Sequence, residues 1–397
     1  MRALVIAATV VAGLLVVTPA GAVPLPDQDP FYAVPSGISG LPNGAITKSR
    51  PVSASAYSLP LPVHAWQLQY KTLDTHDNPT ADVATVLVPL LPWLGRGPRP
   101  LLSYQTAEDG VGSKCSPSYA LRAGLGSLPS NSEAETGLIA LALLKGWAVV
   151  APDYEGPNSA FLGAAGEAHG VLDGVRAARA FAPAEVSASA PTALWGYSGG
   201  ALASSLAAQA QPSYAPELHF VGVALGGVVS DLHATLLAFS GGLVGGALVV
   251  GFVGVNRAYP ELNLPQYLND AGRAAMAAGA ADCLSDAVIQ FPFASISQFE
   301  AHPGVADELA PFLHGISLLG IAGTPTAPIY DYHAVNDELA PIAGDRALMA
   351  RYCAAGVKVQ HVESPIDEHI SLAVTGAPGA ISYLADRFAG RPAANTC

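Results

Sequence analysis

Gly196-Tyr197-Ser198-Gly199-Gly200 is the stretch that decides the fold, between an apolar run at residues 192–195 and a helix-like run at residues 201–209. A strand, a sharp turn and a helix around G-x-S-x-G are typical of a nucleophile elbow. The serine of such a turn has a strained backbone, so small residues are needed two positions before and two positions after it. Backbone N–H groups at the start of the following helix can then receive an oxyanion. The pattern predicts a nucleophilic Ser198; the alternative is an incidental serine in a glycine-rich turn.

The chain around the elbow alternates between strand-like and helix-like segments. Short strands are predicted at residues 100–105, 147–151, 192–195 and 219–225, and helices at residues 137–144, 170–181 and 201–209. Two segments with alternating polarity, residues 66–73 and 81–88, predict strands near a sheet edge. Residues 23–55, rich in Pro and Gly, predict an extended surface arm. The succession predicts the α/β class, with a mostly parallel central sheet covered by helices on both faces.

Between residues 230 and 323 the sequence contains helix-like segments without alternating strands. We interpret these residues as a helical cap (lid) inserted into a core made of residues 23–229 and 324–397. Within the cap, residues 236–255 carry no charge, a length that could span a bilayer. Six glycines in this run favour an apolar cap element, or the wall of an apolar tunnel, over a transmembrane segment. The sequence predicts that Gly245 and Gly246 border that tunnel.

Length and composition limit the class of protein. The chain has 397 residues, 51% of them hydrophobic and 12% charged, so it can bury a large core and is not disordered. Acidic residues outnumber basic ones by 31 to 18 and no run of Lys or Arg occurs, so no nucleic-acid partner is expected. Residues 1–22 combine Arg2, an apolar stretch and Ala20-Gly21-Ala22, which predicts a cleaved signal peptide and a secreted protein. An uncleaved membrane anchor is the alternative.

The cysteine content agrees with export. The predicted exported part contains four cysteines, at positions 115, 283, 353 and 397. An even number in an oxidising compartment predicts two disulfides, with three possible connectivities. No C-x-x-C motif and no His/Cys cluster is present, so no metal site is expected.

A serine nucleophile needs a histidine as base and a carboxylate that orients the histidine. With a nucleophile elbow the chain order is Ser…Asp/Glu…His, and both later residues follow strands. Asp337, directly after the strand predicted at residues 328–333, is the predicted acid, with Glu338 and then Asp345 as rivals. His369, after the final predicted strand and before the last helix, is the predicted base.

Other ionisable residues near these positions are predicted to be structural. Asp331 and His361 lie inside predicted strands, and His333 precedes the acid. His302 and His314 fall within the predicted cap.

Two backbone donors are expected to stabilise the oxyanion. The first is the N–H of Gly199, directly after the nucleophile. The second is expected in the loop at residues 105–110, where the N–H of Asp109 could serve. Lipases often carry His-Gly-Gly-Gly in that loop, and this chain does not. The alternative is that Glu108 and Asp109 are only turn residues.

Several motifs together resemble the secretory lipase family of α/β-hydrolases, which includes the yeast lipase A type. The two most specific are Gly196-Tyr197-Ser198-Gly199-Gly200 and Pro152-Asp153-Tyr154-Glu155-Gly156. The other matching stretches are Asp29-Pro30-Phe31-Tyr32, Ser49-Arg50-Pro51-Val52, Tyr104-Gln105, Glu108-Asp109, Leu172-Asp173-Gly174, Arg176-Ala177 and Asp337-Glu338 with Pro341. The resemblance implies an α/β-hydrolase fold with a helical cap over the site and hydrolysis of acylglycerol esters. It also implies an oxyanion aspartate at Asp109 and disulfides Cys115–Cys283 and Cys353–Cys397.

The sequence therefore predicts a secreted serine esterase or lipase that acts on triacylglycerols or other acyl esters through Ser198, His369 and Asp337. Its expected partner is a lipid or ester substrate, with transient contact to a lipid interface. No cofactor and no protein partner are expected. The alternatives are an acyltransferase or another serine hydrolase with the same triad, and a non-catalytic surface protein. The complete Ser-Asp-His set argues against a protein without catalytic activity.

Overall fold

A computed structural model describes residues 23–397 of the chain, and the predicted signal peptide lies outside the described residues. The strands are β1 (Ile46–Val52), β2 (Ser55–Ala56), β3 (Leu59–Pro60), β4 (Val63–Leu73), β5 (Pro79–Pro89), β6 (Leu101–Gln105), β7 (Ala148–Pro152), β8 (Thr192–Tyr197), β9 (Phe220–Gly226), β10 (Ile329–Ala334) and β11 (Val359–Ser364). The first α-helices are α1 (Pro117–Ala123), α2 (Asn131–Ala134), α3 (Thr136–Leu144), α4 (Ala164–Ala180) and α5 (Gly199–Tyr214). The later ones are α6 (Leu232–Phe239), α7 (Ala247–Ala258), α8 (Asp270–Ala278), α9 (Leu284–Gln290), α10 (Ile296–Phe299), α11 (Val305–Ile316), α12 (Ile342–Ala354), α13 (His369–Thr375) and α14 (Ala377–Phe388).

The central sheet has nine strands in the order β1-β4-β5-β7-β6-β8-β9-β10-β11. The six strands from β7 to β11 in this order run parallel, whereas β1, β4 and β5 form an antiparallel edge. The prediction of a mostly parallel sheet is confirmed. Because the carboxyl ends of β6, β8, β10 and β11 meet at one edge, the loops after these strands come together.

The prediction of an extended surface arm at residues 23–55 is wrong for residues 46–52. Residues 46–52 form β1, which pairs with β4 and closes the antiparallel edge of the sheet. The Arg50 side chain explains this pairing, since it donates to Gln67 Oε1 on β4 and forms an ion pair of 2.7 Å with Asp29. Charged side chains on an edge strand are common, and the Pro and Gly content of this stretch concealed the strand.

The sheet is buried on both faces, as its apolar parallel strands require. One core lies between the sheet and the helices α4, α5 and α12, and the second lies on the opposite face under α3 and α14. Trp195 in β8 belongs to the second core, where it is fully buried and donates to the Tyr332 hydroxyl at 3.2 Å. The central strands therefore hold the loops at their carboxyl ends on a rigid base.

Between β9 and β10 the described chain is helical, from α6 to α11. These helices have apolar clusters of their own, one of which joins Val249, Leu268 and Phe299. They also contact the core, since Gly110 and Cys283 form an isolated antiparallel bridge. The cap boundaries at residues 230 and 323 stay a prediction.

The uncharged run at residues 236–255 is not one helix. It contains the end of α6, a glycine-rich turn and most of α7. None of the helices in residues 23–397 combines the length and the hydropathy that a membrane span requires.

Two disulfides are present, Cys115–Cys283 and Cys353–Cys397, the pairing that the family resemblance implied. The first joins the loop region after β6 to the start of α9. The second joins the end of α12 to the C-terminal residue, so it holds the tail beside β11. No free cysteine occurs in the described part of the chain.

Removing either disulfide is expected to destabilise the protein because the unfolded chain regains conformational freedom. The Cys353–Cys397 bridge closes 44 residues, so replacing both cysteines with Ser should lower the free energy of unfolding by about 4 kcal/mol. The Cys115–Cys283 bridge closes 168 residues and should contribute about 5 kcal/mol. Denaturant unfolding of each double variant measures these losses. Non-reduced peptide mapping that joined Cys115 to Cys353 would contradict the pairing.

Candidate active site

The turn between β8 and α5 holds Ser198 in a backbone conformation that only a tight elbow allows, with φ 52° and ψ −121°. Both flanking glycines are needed for this turn. A Cβ on Gly196 would lie 2.1 Å from the carbonyl oxygen of Gly200, and a Cβ on Gly200 would lie 2.0 Å from that of Gln105. The two glycines of G-x-S-x-G thus permit close packing of the elbow against the end of β6.

The structure brings together three side chains from different loops. Ser198 follows β8, Asp337 follows β10 and His369 follows β11. His369 Nε2 lies 2.8 Å from Ser198 Oγ, and His369 Nδ1 lies 2.7 Å from Asp337 Oδ2. The remaining carboxylate oxygen, Asp337 Oδ1, accepts the backbone N–H groups of Leu339 and Ala340. The carboxylate is therefore fixed by its own loop and can hold the imidazole with its Nδ1 protonated.

The rival carboxylates occupy other positions. Glu338 accepts the backbone N–H of His369 at 3.2 Å and does not contact the imidazole ring. Asp345 is buried on α12 beside His333, at 3.7 Å from its Nδ1. His361 is bonded to Asp331 on the neighbouring strand. Among the carboxylates considered from the sequence, the imidazole of the candidate base contacts Asp337.

The two predicted oxyanion donors lie next to each other. Asp109 has a positive φ of 38°, and a Cβ on Gly199 would lie 1.8 Å from its Oδ1. As the first residue of α5, Gly199 has an N–H without an intrahelical acceptor. In residues 23–397 the Asp109 N–H has no protein acceptor either. Both residues border the same cavity as Ser198, which keeps their N–H groups as candidate oxyanion donors.

A hydrogen-bond network that the sequence analysis missed supports the loop of Asp109. Glu135 accepts the backbone N–H of Ala107 at 2.8 Å and the Tyr104 hydroxyl at 2.6 Å. On the other side, the Tyr154 hydroxyl donates to the carbonyl of Thr106 at 2.6 Å. Tyr154 belongs to the motif Pro152–Gly156, so this motif has a structural role behind the candidate oxyanion site. Glu135 had no signal in the sequence, because nothing in its neighbours predicts burial.

The carboxyl groups around this loop are buried without a basic partner. Burial raises the pKa of Asp109 to about 6, against the opposing effects of His369 and Asn131. Burial likewise raises the pKa of Glu135 to about 8, that of Asp153 to about 7 and that of Glu167 to about 8. Within the described residues no Lys or Arg forms an ion pair with any of these carboxyls, so each proton bound as the pH falls lowers the cost of burying them.

An apolar cavity opens at Ser198 and runs under the helices between β9 and β10. Apart from Asp109, Ser198 and Thr235, its walls are apolar side chains and glycine. Leu236, Gly251 and Phe252 contribute to it from the uncharged run. Such a cavity can bind a hydrocarbon chain whose carbonyl end reaches the serine.

The glycines of the uncharged run divide into two groups. Gly245 and Gly246 do not border the cavity, because their missing Cβ atoms face the backbone of Ala294 and Ala287 at 2.2 and 2.0 Å. A Cβ on Gly251 would meet no atom within 4 Å. Our prediction that Gly245 and Gly246 border a tunnel is therefore wrong. The glycine of this run that lies at the cavity wall is Gly251.

Comparisons with known proteins point to a lipase family. A family model described as secretory lipase matches residues 124–396. Lipase A of Arthroderma benhamiae is 35% identical over 382 residues, which cover 92% of this chain and 80% of that protein. A protein of Mycobacterium tuberculosis named as a probable inactive lipase is 38% identical over 376 residues, 93% of this chain and 83% of its own length.

The fold has a close counterpart among solved structures. Candida antarctica lipase A in its closed state superimposes with a TM-score of 0.85 at 31% identity, over 94% of this chain and 88% of that chain. The fold is thus that of the α/β-hydrolases, and the resemblance inferred from the sequence motifs is confirmed.

The raised pKa values of the buried carboxyls predict that the protein is more stable near pH 5 than near pH 8. Their pKa values are higher in the folded than in the unfolded chain, so the folded chain binds more protons. Stability should therefore fall by several degrees in melting temperature as the pH rises from about 5 to about 8. Glu135→Gln, which can keep both hydrogen-bond partners, should weaken this dependence. A melting temperature that rises steadily over the same range would contradict the prediction.

Proposed function

The chain belongs to the secretory lipase family, and we propose that it is a serine ester hydrolase with Ser198 as nucleophile. The observation that carries the proposal is the continuous set of hydrogen bonds from Asp337 through His369 to Ser198, at 2.7 and 2.8 Å. A partly exposed serine hydroxyl bonded to an oriented imidazole can be deprotonated as it attacks an electrophile.

In the proposed reaction Ser198 Oγ attacks the ester carbonyl while His369 Nε2 takes its proton. Asp337 stabilises the imidazolium and keeps Nδ1 protonated. The N–H groups of Gly199 and Asp109 donate to the oxyanion of the tetrahedral intermediate, each contributing about 3–4 kcal/mol. His369 then protonates the leaving alcohol, and water, activated by the same imidazole, hydrolyses the acyl-enzyme. Each of these steps uses groups of this chain, without a cofactor.

We propose a lipid ester as substrate, because the cavity at Ser198 is apolar along its length. An acyl chain bound there would release water from the walls contributed by Leu236, Phe252 and Leu309, while the ester group meets the N–H donors. In this proposal residues 230–323 act as the cap over the site. Triacylglycerols and other acyl esters share this requirement.

Secretion is part of the same proposal. The matched family is described as secretory, and two disulfides fit an oxidising compartment. Residues 1–22 would then serve as a cleaved signal peptide.

A non-catalytic role is the second candidate, because one relative is named as a probable inactive lipase. In the present chain His369 is hydrogen-bonded to both Ser198 and Asp337, which supports the catalytic proposal.

Substitutions in the triad test the proposal. Ser198→Ala and His369→Ala are each expected to lower kcat on p-nitrophenyl acetate by about 10⁴- to 10⁶-fold, since either removes the reacting pair. Asp337→Ala should cost less, because this carboxylate orients the imidazole without exchanging a proton. Glu338→Ala serves as the matched control, since Glu338 accepts the backbone N–H of His369 and forms no hydrogen bond with its ring. Full activity of Asp337→Ala with loss in Glu338→Ala would show that Glu338 is the acid.

The cavity predicts a variant that changes chain-length preference. Gly251→Leu should fill open space in the wall and lower hydrolysis of p-nitrophenyl palmitate relative to acetate by about tenfold to a hundredfold. Gly315→Leu is the matched control, because Gly315 also lies in a cap helix with open space but not at the cavity. Gly245→Leu and Gly246→Leu should instead lower stability and the hydrolysis of both esters. An unchanged palmitate-to-acetate ratio in Gly251→Leu would remove α7 from the binding site.

A further inference from the structure

We propose that Asp331, Asp345 and His361 form a binding site for one divalent transition-metal ion of the zinc class. The three residues come from β10, α12 and β11, and their ligand atoms all lie within 4.8 Å of one another. Asp331 and His361 are register partners on adjacent parallel strands, so the sheet itself fixes the first pair. The inference concerns metal binding and does not depend on the proposed function.

The carboxylates of this cluster lack the partners that buried carboxylates normally have. The Asp331 and Asp345 side chains have no solvent exposure. Within residues 23–397, Oδ1 of Asp331 and both carboxylate oxygens of Asp345 receive no N–H or O–H donor. In the described residues neither carboxylate forms an ion pair with a Lys or Arg, and the side chains paired with them are those of His333 and His361. Arg346, the nearest arginine in sequence, pairs with Glu363 instead. Two such carboxylates need a further positive charge to be buried in ionised form.

The surroundings of His361 match those of a metal ligand. Its Nδ1 faces Asp331 Oδ2 at 2.6 Å and Asp345 Oδ2 at 3.8 Å. Its Nε2 lies 3.0 Å from Glu363 Oε1, and Arg346 holds both oxygens of Glu363 at 2.7 Å. A histidine that binds metal with one nitrogen usually donates its other N–H to such a fixed carboxylate.

The donor set selects the class of ion. One imidazole nitrogen and two carboxylates suit zinc or a similar ion, whereas calcium and magnesium prefer oxygen ligands alone. Four-coordinate zinc places its ligand atoms about 3.3 Å apart, and the observed separations of 2.6 and 3.8 Å bracket that value. The side chain of His361 is 21% exposed, so an ion can enter from this side and keep a water as its fourth ligand.

Such an ion would connect β10, α12 and β11, the elements next to the loop of Asp337. Asp345 Oδ2 lies 3.7 Å from His333 Nδ1, and His333 Nε2 lies 2.8 Å from the carbonyl oxygen of Ala340 in that loop. The ion would therefore act as a structural clamp behind the candidate acid, outside the cavity at Ser198.

Metal titration of the EDTA-treated protein tests the inference. We expect one equivalent of Zn²⁺ to bind by calorimetry and to raise the melting temperature, and Co²⁺ to give visible absorption of a four-coordinate site. His361→Gln and Asp345→Asn should each lower Zn²⁺ affinity by about a hundredfold or more, and Glu363→Gln by about tenfold. If Asp345→Asn fails to fold, Glu363→Gln keeps the test, since Glu363 is partly exposed.

The matched control is His76→Gln. His76 Nε2 also faces a glutamate, Glu261, at 3.2 Å, but this pair is exposed and lies far from the cluster in sequence. The control should bind Zn²⁺ and Co²⁺ like the unaltered protein. Absence of stoichiometric binding, with the two carboxylates sharing a proton instead, would overturn the inference. Equal losses of affinity in His76→Gln and His361→Gln would overturn it as well.

Discussion

The candidate site depends on one close packing contact, that of the elbow against the end of β6. Gly200 approaches the carbonyl oxygen of Gln105 so closely that a Cβ would lie 2.0 Å from it. A Cβ on Gly199 would likewise lie 1.8 Å from Oδ1 of Asp109. This contact turns Ser198 toward the cavity and brings the N–H groups of two loops to the same side of it. A larger residue at either glycine would clash with the loop at residues 105–109, which carries the candidate oxyanion donor Asp109. Local strain at Ser198 is tolerated because the surrounding sheet is buried and rigid.

Carboxyl groups and tyrosine hydroxyls hold the loop that carries Asp109. These buried carboxyls have no ion pair with Lys or Arg in the described residues, although buried carboxylates usually do. Glu135 and Tyr154 bond its backbone from two sides, and burial raises the pKa of the carboxyls involved. A protonated carboxyl can be buried at a much lower cost than an ionised one, so we expect this loop to lose stability as the pH rises. Several acidic side chains are thus buried beside the candidate site.

Residues close in sequence made much of this architecture predictable. The elbow, the alternation of strands and helices and the order Ser…Asp…His can be read from the sequence. They predict the sheet and the three candidate triad residues that the structure brings into hydrogen-bond contact. Other features depend on contacts between distant segments. Nothing near Glu135 predicts its bond to Ala107. Asp331 and His361 meet through the parallel pairing of β10 with β11, and Asp345 joins them through the packing of α12 against these strands. The role of each glycine in the uncharged run likewise depends on which segment faces it.

The central claim is that the imidazole of His369 activates Ser198 for attack on an acyl carbon. Labelling with a fluorophosphonate, followed by peptide mass spectrometry, tests it most directly, because the reagent reacts with activated serines irrespective of the ester that the cavity prefers. We predict one adduct per chain, located on Ser198, and none on the folded His369→Ala protein. A folded wild-type protein that remains unlabelled, or an adduct that persists on Ser198 without His369, would contradict the account.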